Sequence, residues 1–393
     1  MNNFFYTWTA QQQAHPLNIS AAEGDEYITD DGSRIYDFIS TSFQASLGHS
    51  NPLIIQKITR QLNQMPICSP KAAFPLKSAV SRGLIELLGF DRGKIFFTVS
   101  GAEAVENALK IARHRTGRPI ILSRQKSYHG ASLGAMSVSG DWRSDHHLTF
   151  DQGTRRIPEP HDDPTAAGVR QVIQDVGAEN IAAVIVETIS GTNGVVIPGQ
   201  EWVQSLRKIC TEHQILLIMD EVLTGFYRCQ RAFAFQQFQV APDMVCMSKA
   251  ISGGYVPFGA VWVDQPIADF YQDNVLANGL TSYAHPLGLA ASAAVIQQIV
   301  KPEFVEHLRQ LEIVFRDQIG QLCRRFTVSA SRANGMLAAI EFADRQLPDW
   351  KFWVQRGLYL YTKGNMMILA PPLTTQADRL ERAFTDLADG LQH

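Results

Sequence analysis

A mainly parallel α/β sheet covered by helices on both faces is the fold this sequence predicts, and three observations point to it. Short, nearly unbroken apolar runs recur through the middle of the chain. Stretches with apolar residues at helical spacing separate them, and both ends change to a mixed α+β character. The chain has 393 residues, roughly twice one compact unit, so a large and a smaller domain are expected. The large α/β domain is expected over 51–285, and the smaller α+β domain over 1–50 together with 286–393.

In chain order, the stretch from Tyr27 to Asp37 reads as a β-hairpin with a Gly turn. Lys94 to Val99 reads as a strand, with a helix from Ala102 to Arg113 after it. Pro119 to Leu122 is the next apolar run, and 141–165, rich in Asp, His, Arg, Pro and Gly, reads as a long loop. Ala182 to Val186 and Ile215 to Met219 read as buried strands flanking a helix from Trp202 to Cys210. Met244 to Met247 and Gly259 to Val263 complete the series. Beyond about Pro286 come two long helical stretches, then strands at Met336 to Phe342 and Met366 to Leu369.

Composition narrows the function. Hydrophobic residues make up 45% and charged residues 19%, an ordinary globular balance. A formal net charge of -3 gives no electrostatic reason to expect nucleic acid or an anionic membrane. No run has the roughly 18 apolar residues of a membrane span. Cys68, Cys210, Cys229, Cys246 and Cys323 are scattered without a CxxC pair, which suggests neither a zinc site nor a disulfide framework. With no basic-then-apolar start, a cytoplasmic protein is expected. His146 and His147 beside Asp145 lack any metal-ligand spacing and read as a solvated loop, so no metal is expected.

Four features fall where parallel strands deliver functional groups, at their carboxyl ends. Ser100-Gly101-Ala102 joins a strand to a helix, where free N–H groups suit an anion; a plain Ser N-cap is the alternative. No Walker lysine or GxGxxG accompanies it, which disfavours a nucleotide. Asp220 ends an apolar strand, a costly place for a carboxylate unless a cation or donor meets it. The pyridinium N–H of pyridoxal phosphate (PLP) is such a donor, and a helix-capping Asp is the alternative. Lys249 follows Met244 to Met247 and precedes Gly253-Gly254. Its amine can form an imine with an aldehyde and then act as a general base; a solvated lysine is the alternative. Tyr128, before His129-Gly130, can stack on a flat heterocycle or be structural.

Taken together, SGAEAVENALKIAR (100–113), YHG (128–130), VIVETISGTNGVVIP (184–198), MDEVLTGFYR (219–228), PDMVCMSKAISGG (242–254) and TSYAHPLGLAASAA (281–294) resemble the class III, omega-type aminotransferases of PLP fold type I over nearly the full chain. The resemblance implies that Lys249 is the Schiff-base lysine and Asp220 the partner of the pyridine nitrogen. Tyr128 and Val222 match the residues on the two ring faces, His129 belongs to the aromatic-His-Gly unit, and Glu187 matches an acid near the cofactor. Ser100, Gly101 and Ala102 match the phosphate cradle. Thr281 matches a threonine that reaches the phosphate from the neighbouring subunit, which implies a homodimer.

Departures from the family pattern bear on the substrate. Ala131 stands where members using 2-oxoglutarate commonly have an arginine. Tyr361 aligns with a second arginine that grips a substrate carboxylate, and Thr192 with the glutamate that neutralises it in ornithine-type enzymes. Leu223 replaces a frequent glutamine. An omega-amino compound or an apolar amine is therefore the expected donor and a keto acid such as pyruvate the acceptor. Phe43, Tyr128 and Tyr361 are the expected pocket walls, with Lys363 or Arg228 left as candidate carboxylate contacts. The resemblance also admits a decarboxylase, racemase, aminomutase or lyase outcome. A PLP-binding protein without catalysis fits less well with Lys249 and Asp220 both in place.

Overall fold

The computed structural model describes residues 3–149 and 151–392; Met1, Asn2, Phe150 and His393 lie outside the described residues. Its centre is a seven-stranded sheet. From one edge the strands run Lys94–Thr98, Gly259–Val263, Met244–Met247, Leu216–Asp220, Ile181–Glu187, Ile120–Arg124 and Thr154–Ile157. Every pairing is parallel except the two made by Gly259–Val263, which runs against both neighbours. All residues of Ile181–Glu187, Met244–Met247 and Gly259–Val263 are buried. Burial on both faces explains why these strands read as continuous apolar runs rather than alternating ones.

Helices cover the two faces. The helix Gly101–Thr116 buries Val105, Ala108, Leu109 and Ala112 against one face. Gln200–Glu212 buries Trp202, Val203, Leu206 and Ile209 in the larger core on the other. Gly101–Thr116 starts at Ser100, whose Oγ accepts from Glu103 N at 3.2 Å while the Glu103 carboxylate accepts from Val99 N at 3.0 Å, a reciprocal cap. It ends at Gly117, whose φ of +69° closes the last turn.

The chain ends form two further four-stranded sheets. One contains Ile19–Glu23, Glu26–Thr29, Arg34–Asp37 and Leu358–Tyr359, so residues from both ends of the chain share a sheet. The other runs Val328–Asn334, Leu337–Phe342, Met366–Leu369 and Tyr361–Lys363, antiparallel throughout. The hairpin expected near Tyr27 is present, with Gly32 at φ +83° in its turn. The helix Pro286–Ile299 packs against Pro52–Gln64 and Pro75–Leu87. One correction concerns 141–165: it is not a plain loop, because Thr154–Ile157 forms an edge strand of the central sheet.

The antiparallel strand begins where the functional edge of the sheet lies, and its first residue has no room for a side chain. A Cβ at Gly259 would stand 2.6 Å from Thr98 Oγ1, 2.7 Å from Ser100 O and 3.0 Å from Met247 O. Two of those three atoms are backbone and cannot swing away. Gly259→Ala is therefore expected to cost about 1–3 kcal/mol, the usual penalty of overpacking, in a urea titration. An unchanged midpoint would show that the strands separate without strain.

Candidate active site

Five segments converge at the carboxyl edge of the sheet. Lys249 follows Met244–Met247 and sits at φ +49°, a left-handed conformation uncommon for a residue with a Cβ. It opens a short 3-10 turn, Lys249–Ser252, that Gly253 closes at φ +64°. The Lys249 Nζ lies 5.3 Å from the centre of the Phe43 ring. Burial pushes the amine from its ordinary 10.5 down to about 8, although the carboxylates of Asp220 and Glu187 pull it back up. At that value roughly a tenth of the amine is neutral at pH 7, against a negligible fraction for an exposed lysine.

Asp220 is the last residue of its strand and is buried. Its Oδ2 lies 2.7 Å from His129 Nδ1, and its Oδ1 accepts from Val222 N at 3.0 Å. Since a carboxylate can only accept, the proton of that first bond belongs to His129 Nδ1. His129 Nε2 is buried with no hydrogen-bond partner among the described residues. The next residue, Glu221, points the other way into the core. It accepts from Thr188 Oγ1 at 2.7 Å, Ala234 N at 3.0 Å and Phe235 N at 2.8 Å, and from the Thr224 hydroxyl. That network fixes the turn from which Asp220 projects.

Glu187, at the end of the neighbouring strand, holds the backbone around it. Its Oε1 accepts from Tyr128 N at 3.0 Å and Ser190 Oγ at 3.2 Å, and its Oε2 from Gly191 N at 3.2 Å. Glu187 thus sets where the Tyr128 ring begins. Opposite, a Cβ at Gly101 would lie 2.9 Å from Val222 Cγ1, so glycine lets the helix start close against Val222. The Ser100 hydroxyl oxygen caps the helix by accepting from Glu103 N, which leaves its own O–H to donate. The first intrahelical bond runs from Ala104 N to Ser100 O, so the Gly101 and Ala102 N–H groups precede it and face outward from the helix end.

The mouth of the site is aromatic. Phe43 packs with Leu223, Ile189 and Val195 in a buried cluster that Tyr361 joins from the edge. Phe43 ends a run, Ser40 to Phe43, in which all four residues have positive φ. Asp37 steadies this run by accepting from Thr41 N at 2.6 Å and Thr41 Oγ1 at 3.0 Å. Arg228 donates to Ser40 Oγ at 3.1 Å from the other side. Arg228 is fully buried and also donates to Met336 O at 3.0 Å and Pro371 O at 2.6 Å, and burial pushes it down to about 10. With Nη1 on those two carbonyls, Nη2 on the Ser40 and Ser46 hydroxyls and the whole side chain buried, it is closed to a substrate, which corrects the expectation that it remained open.

Sequence reasoning missed three residues here. Trp8 and Trp142 stand edge-on to each other, with ring centres 6.3 Å apart, and Trp8 meets Tyr128 at 6.2 Å. Arg143 lies over all three rings, 4.2 Å from Tyr128, 5.1 Å from Trp8 and 5.4 Å from Trp142. Of the anticipated residues, Thr281 does not join the group; it is exposed in the turn before Pro286–Ile299.

Two physical needs are met together at this edge. An aldehyde condenses with an amine that is already partly neutral, and a buried carboxylate needs a proton donor to repay its desolvation. PLP supplies the aldehyde and the ring N–H, and it adds a phosphate that the start of Gly101–Thr116 suits. The fold and the site therefore define a PLP-dependent enzyme of fold type I.

Known proteins place the chain more closely. The family model described as aminotransferase class-III matches residues 8–391. An omega-aminotransferase of Caulobacter vibrioides is 30% identical over 411 residues, covering 96% of this chain and 94% of that protein. A beta-alanine–pyruvate aminotransferase of Pseudomonas aeruginosa is 30% identical over 416 residues, covering 96% and 92%. The crystal structure of taurine:2-oxoglutarate aminotransferase from Bifidobacterium kashiwanohense, in complex with PLP and glutamate, superposes with a TM-score of 0.92 at 29% identity, covering 99% of this chain and 95% of that one. The chain belongs to the class-III aminotransferase family and is a PLP-dependent aminotransferase. Among the described residues no helix is long and apolar enough to cross a membrane.

Proposed function

We propose that this aminotransferase takes its amino group from an omega-amino compound or an amine and passes it to a keto acid such as pyruvate. The observation that carries this reading is the wall beside Lys249. Phe43, Leu223 and Tyr361 pack as one apolar cluster where an arginine for an α-carboxylate would be expected, and Arg228 is committed to backbone carbonyls. The kinship with an omega-aminotransferase and a beta-alanine–pyruvate aminotransferase supports it.

When bound, PLP supplies an electron sink that makes the carbon bearing the amino group acidic. In this reading Lys249 would hold the cofactor and, once released, would take the proton from that carbon and deliver it to the carbon that was the cofactor's aldehyde. Asp220 keeps the proton on the ring nitrogen, and His129 orients Asp220. Tyr128 and Val222 cover the two ring faces, while Glu187 anchors the Tyr128 backbone. Ser100, Gly101 and Ala102 cradle the phosphate, with Thr281 of a second subunit completing the site in a homodimer. The exposure of Thr281 on the single chain supports that last assignment. The same reading divides the chain into a PLP-binding unit over 51–285 and a smaller unit from 1–50 and 286–393. The free cysteines support a cytoplasmic setting.

The test is an absorbance titration of the purified holoenzyme with amines, β- and α-amino acids, without any keto acid. Conversion of the yellow lysine-bound cofactor to its pyridoxamine form, reversed by pyruvate, is expected with omega-amino donors. A clear preference for glutamate and 2-oxoglutarate would sink the substrate assignment. Product release with the yellow form unchanged would move the reaction to decarboxylation, racemisation or elimination.

A further inference from the structure

We propose that Arg332, on a sheet outside the parallel core, is a positioning residue that sets the width of the donor pocket. It acts by holding the loop from Gly191 to Val195, and the inference rests on the apolar donor wall proposed above.

This loop begins at the active site. The Glu187 carboxylate holds its entry by accepting from Ser190 Oγ and Gly191 N, each at 3.2 Å. Two bonds of 3.1 Å between the backbones of Ser190 and Val196 close its base, and Val195 N donates to Gly191 O at 3.1 Å within it. Gly191 lies against Leu223 with no room for a Cβ. Val195 is fully buried in the cluster of Phe43 and Leu223, and that Phe43 ring stands 5.3 Å from Lys249 Nζ. One wall of the donor pocket is therefore carried by this loop.

The loop needs outside support to keep its shape. Val195 sits at φ +51°, a left-handed conformation that strains a β-branched residue. Such strain persists only where the surroundings over-determine the backbone. Among the described residues, the side chain that binds the carbonyl just before Val195 is Arg332, whose Nε donates to Gly194 O at 2.6 Å. A bond to that carbonyl fixes the peptide plane about which the φ of Val195 turns. Gly194, at φ +98°, admits the approach: a Cβ there would lie 3.1 Å from Arg332 Nη2 and 3.2 Å from Met366 Sδ. Nη2 is in turn paired with Glu341 on the neighbouring strand.

Arg332 belongs to the half-buried face of the edge strand Val328–Asn334. A charge there can serve only to keep an edge from pairing. That role needs no directed bonds, whereas this guanidinium is forked between one carboxylate and one loop carbonyl. Releasing Gly194 O lets Val195 leave the left-handed region and draws its side chain off Phe43 and Leu223. The pocket then loses a wall while Lys249 and Asp220 stay in place.

The test compares holoenzymes of the wild type, Arg332→Ala and Arg332→Lys by hydrogen exchange and by turnover. In Arg332→Ala, exchange at the Val195 and Val196 amides is expected to quicken at least about 10-fold, the worth of one hydrogen bond from a charged group. Exchange within Met244–Met247 should not change, which separates a loosened loop from a loosened fold. Arg332→Lys keeps a donor for Gly194 O and should restore most of the protection. With one acceptor held constant, kcat/KM for butylamine relative to 1-phenylethylamine is expected to fall about 10-fold in Arg332→Ala, mostly through KM, the scale of one methylene lost from an apolar pocket. Val195→Ala should give the same fall, and the double variant should add little to it. Where Arg332→Ala does not fold, Glu341→Gln loosens Arg332 from its other side and should quicken exchange at the same amides.

Unchanged exchange at Val195 and Val196 would overturn the proposal. So would a loosened loop with donor discrimination intact, equal losses for both donors carried by kcat, or full additivity with Val195→Ala. Any two donors of different width that the wild type accepts serve the comparison. A preference for glutamate would therefore sink the donor assigned above and leave this test intact.

Discussion

Lys249→Ala is expected to abolish the yellow absorbance of the bound cofactor and to reduce turnover by at least about 10⁴-fold, the upper range for loss of a positioned acid–base group. Two properties argue for so large an effect. The amine is the nucleophile that holds the aldehyde, and among the described residues it is the only lysine whose nitrogen stands at Phe43 beside Asp220 and Glu187. Its depressed basicity gives the effect a pH signature. As pH rises, the neutral fraction grows and saturates above about 8, so attachment of PLP to the cofactor-free protein should level off there rather than near 10.5.

The same shift has a consequence for stability, and its sign follows from proton counting. Between about 8 and 10.5 the unfolded chain holds a proton at this position that the folded chain has lost, so stability rises with pH across that window. Below it, charging the buried amine costs stability. A cofactor-free Lys249→Met protein should therefore unfold at higher urea than the cofactor-free wild type at pH 7, with the gap closing as pH rises. Measurable turnover in Lys249→Ala above about 1% would displace this residue from the centre of the chemistry. A pH-independent gap would remove burial as the cause of the shift.

Much of this arrangement was legible in the sequence because the central strands are buried on both faces. Leu216–Asp220 and Met244–Met247 therefore announce themselves as apolar runs, and the polar residues ending or following them, Asp220 and Lys249, stand out. Thr154–Ile157 was not legible, since two of its four residues are arginines. Being an edge strand, it can turn Arg155 outward and send Arg156 to Ser123 Oγ at 2.6 Å and Ser139 O at 2.7 Å. Val328–Asn334 hid for a related reason: no residue of it is fully buried.

The mouth of the site was opaque for a different reason. Trp8, Tyr128 and Arg143 are far apart in the chain, and no local spacing signals that they meet. The left-handed run Ser40 to Phe43 contains no glycine to mark it; it exists because Asp37 and Arg228, the latter distant in sequence, hold it from both sides. Residues whose role depends on one strand end could be read. Those whose role depends on three separate segments could not.

Asp220 allows charge and shape to be separated, because two substitutions remove different things. Asp220→Ala takes away the acceptor for both His129 Nδ1 and Val222 N, at 2.7 and 3.0 Å. With Nε2 already unpartnered, His129 would be left buried with neither ring nitrogen satisfied. The expected cost is about 1–3 kcal/mol in unfolding, beside weaker PLP retention. Asp220→Asn keeps one oxygen for Val222 N and turns its NH2 toward His129 Nδ1, which can accept once the ring takes its other tautomer. It should therefore unfold closer to the wild type than Asp220→Ala does. It cannot supply the negative charge that holds a proton on a pyridine nitrogen, so turnover should still fall by about 10²–10³-fold, the scale for losing one electrostatic stabiliser. Retention of more than about a tenth of wild-type activity by Asp220→Asn would leave the carboxylate with a structural role alone, as the cap of the turn it begins. Loss of activity with stability preserved would assign the charge itself to the chemistry. His129 would then act through Asp220, and replacing it should shift cofactor affinity and turnover together.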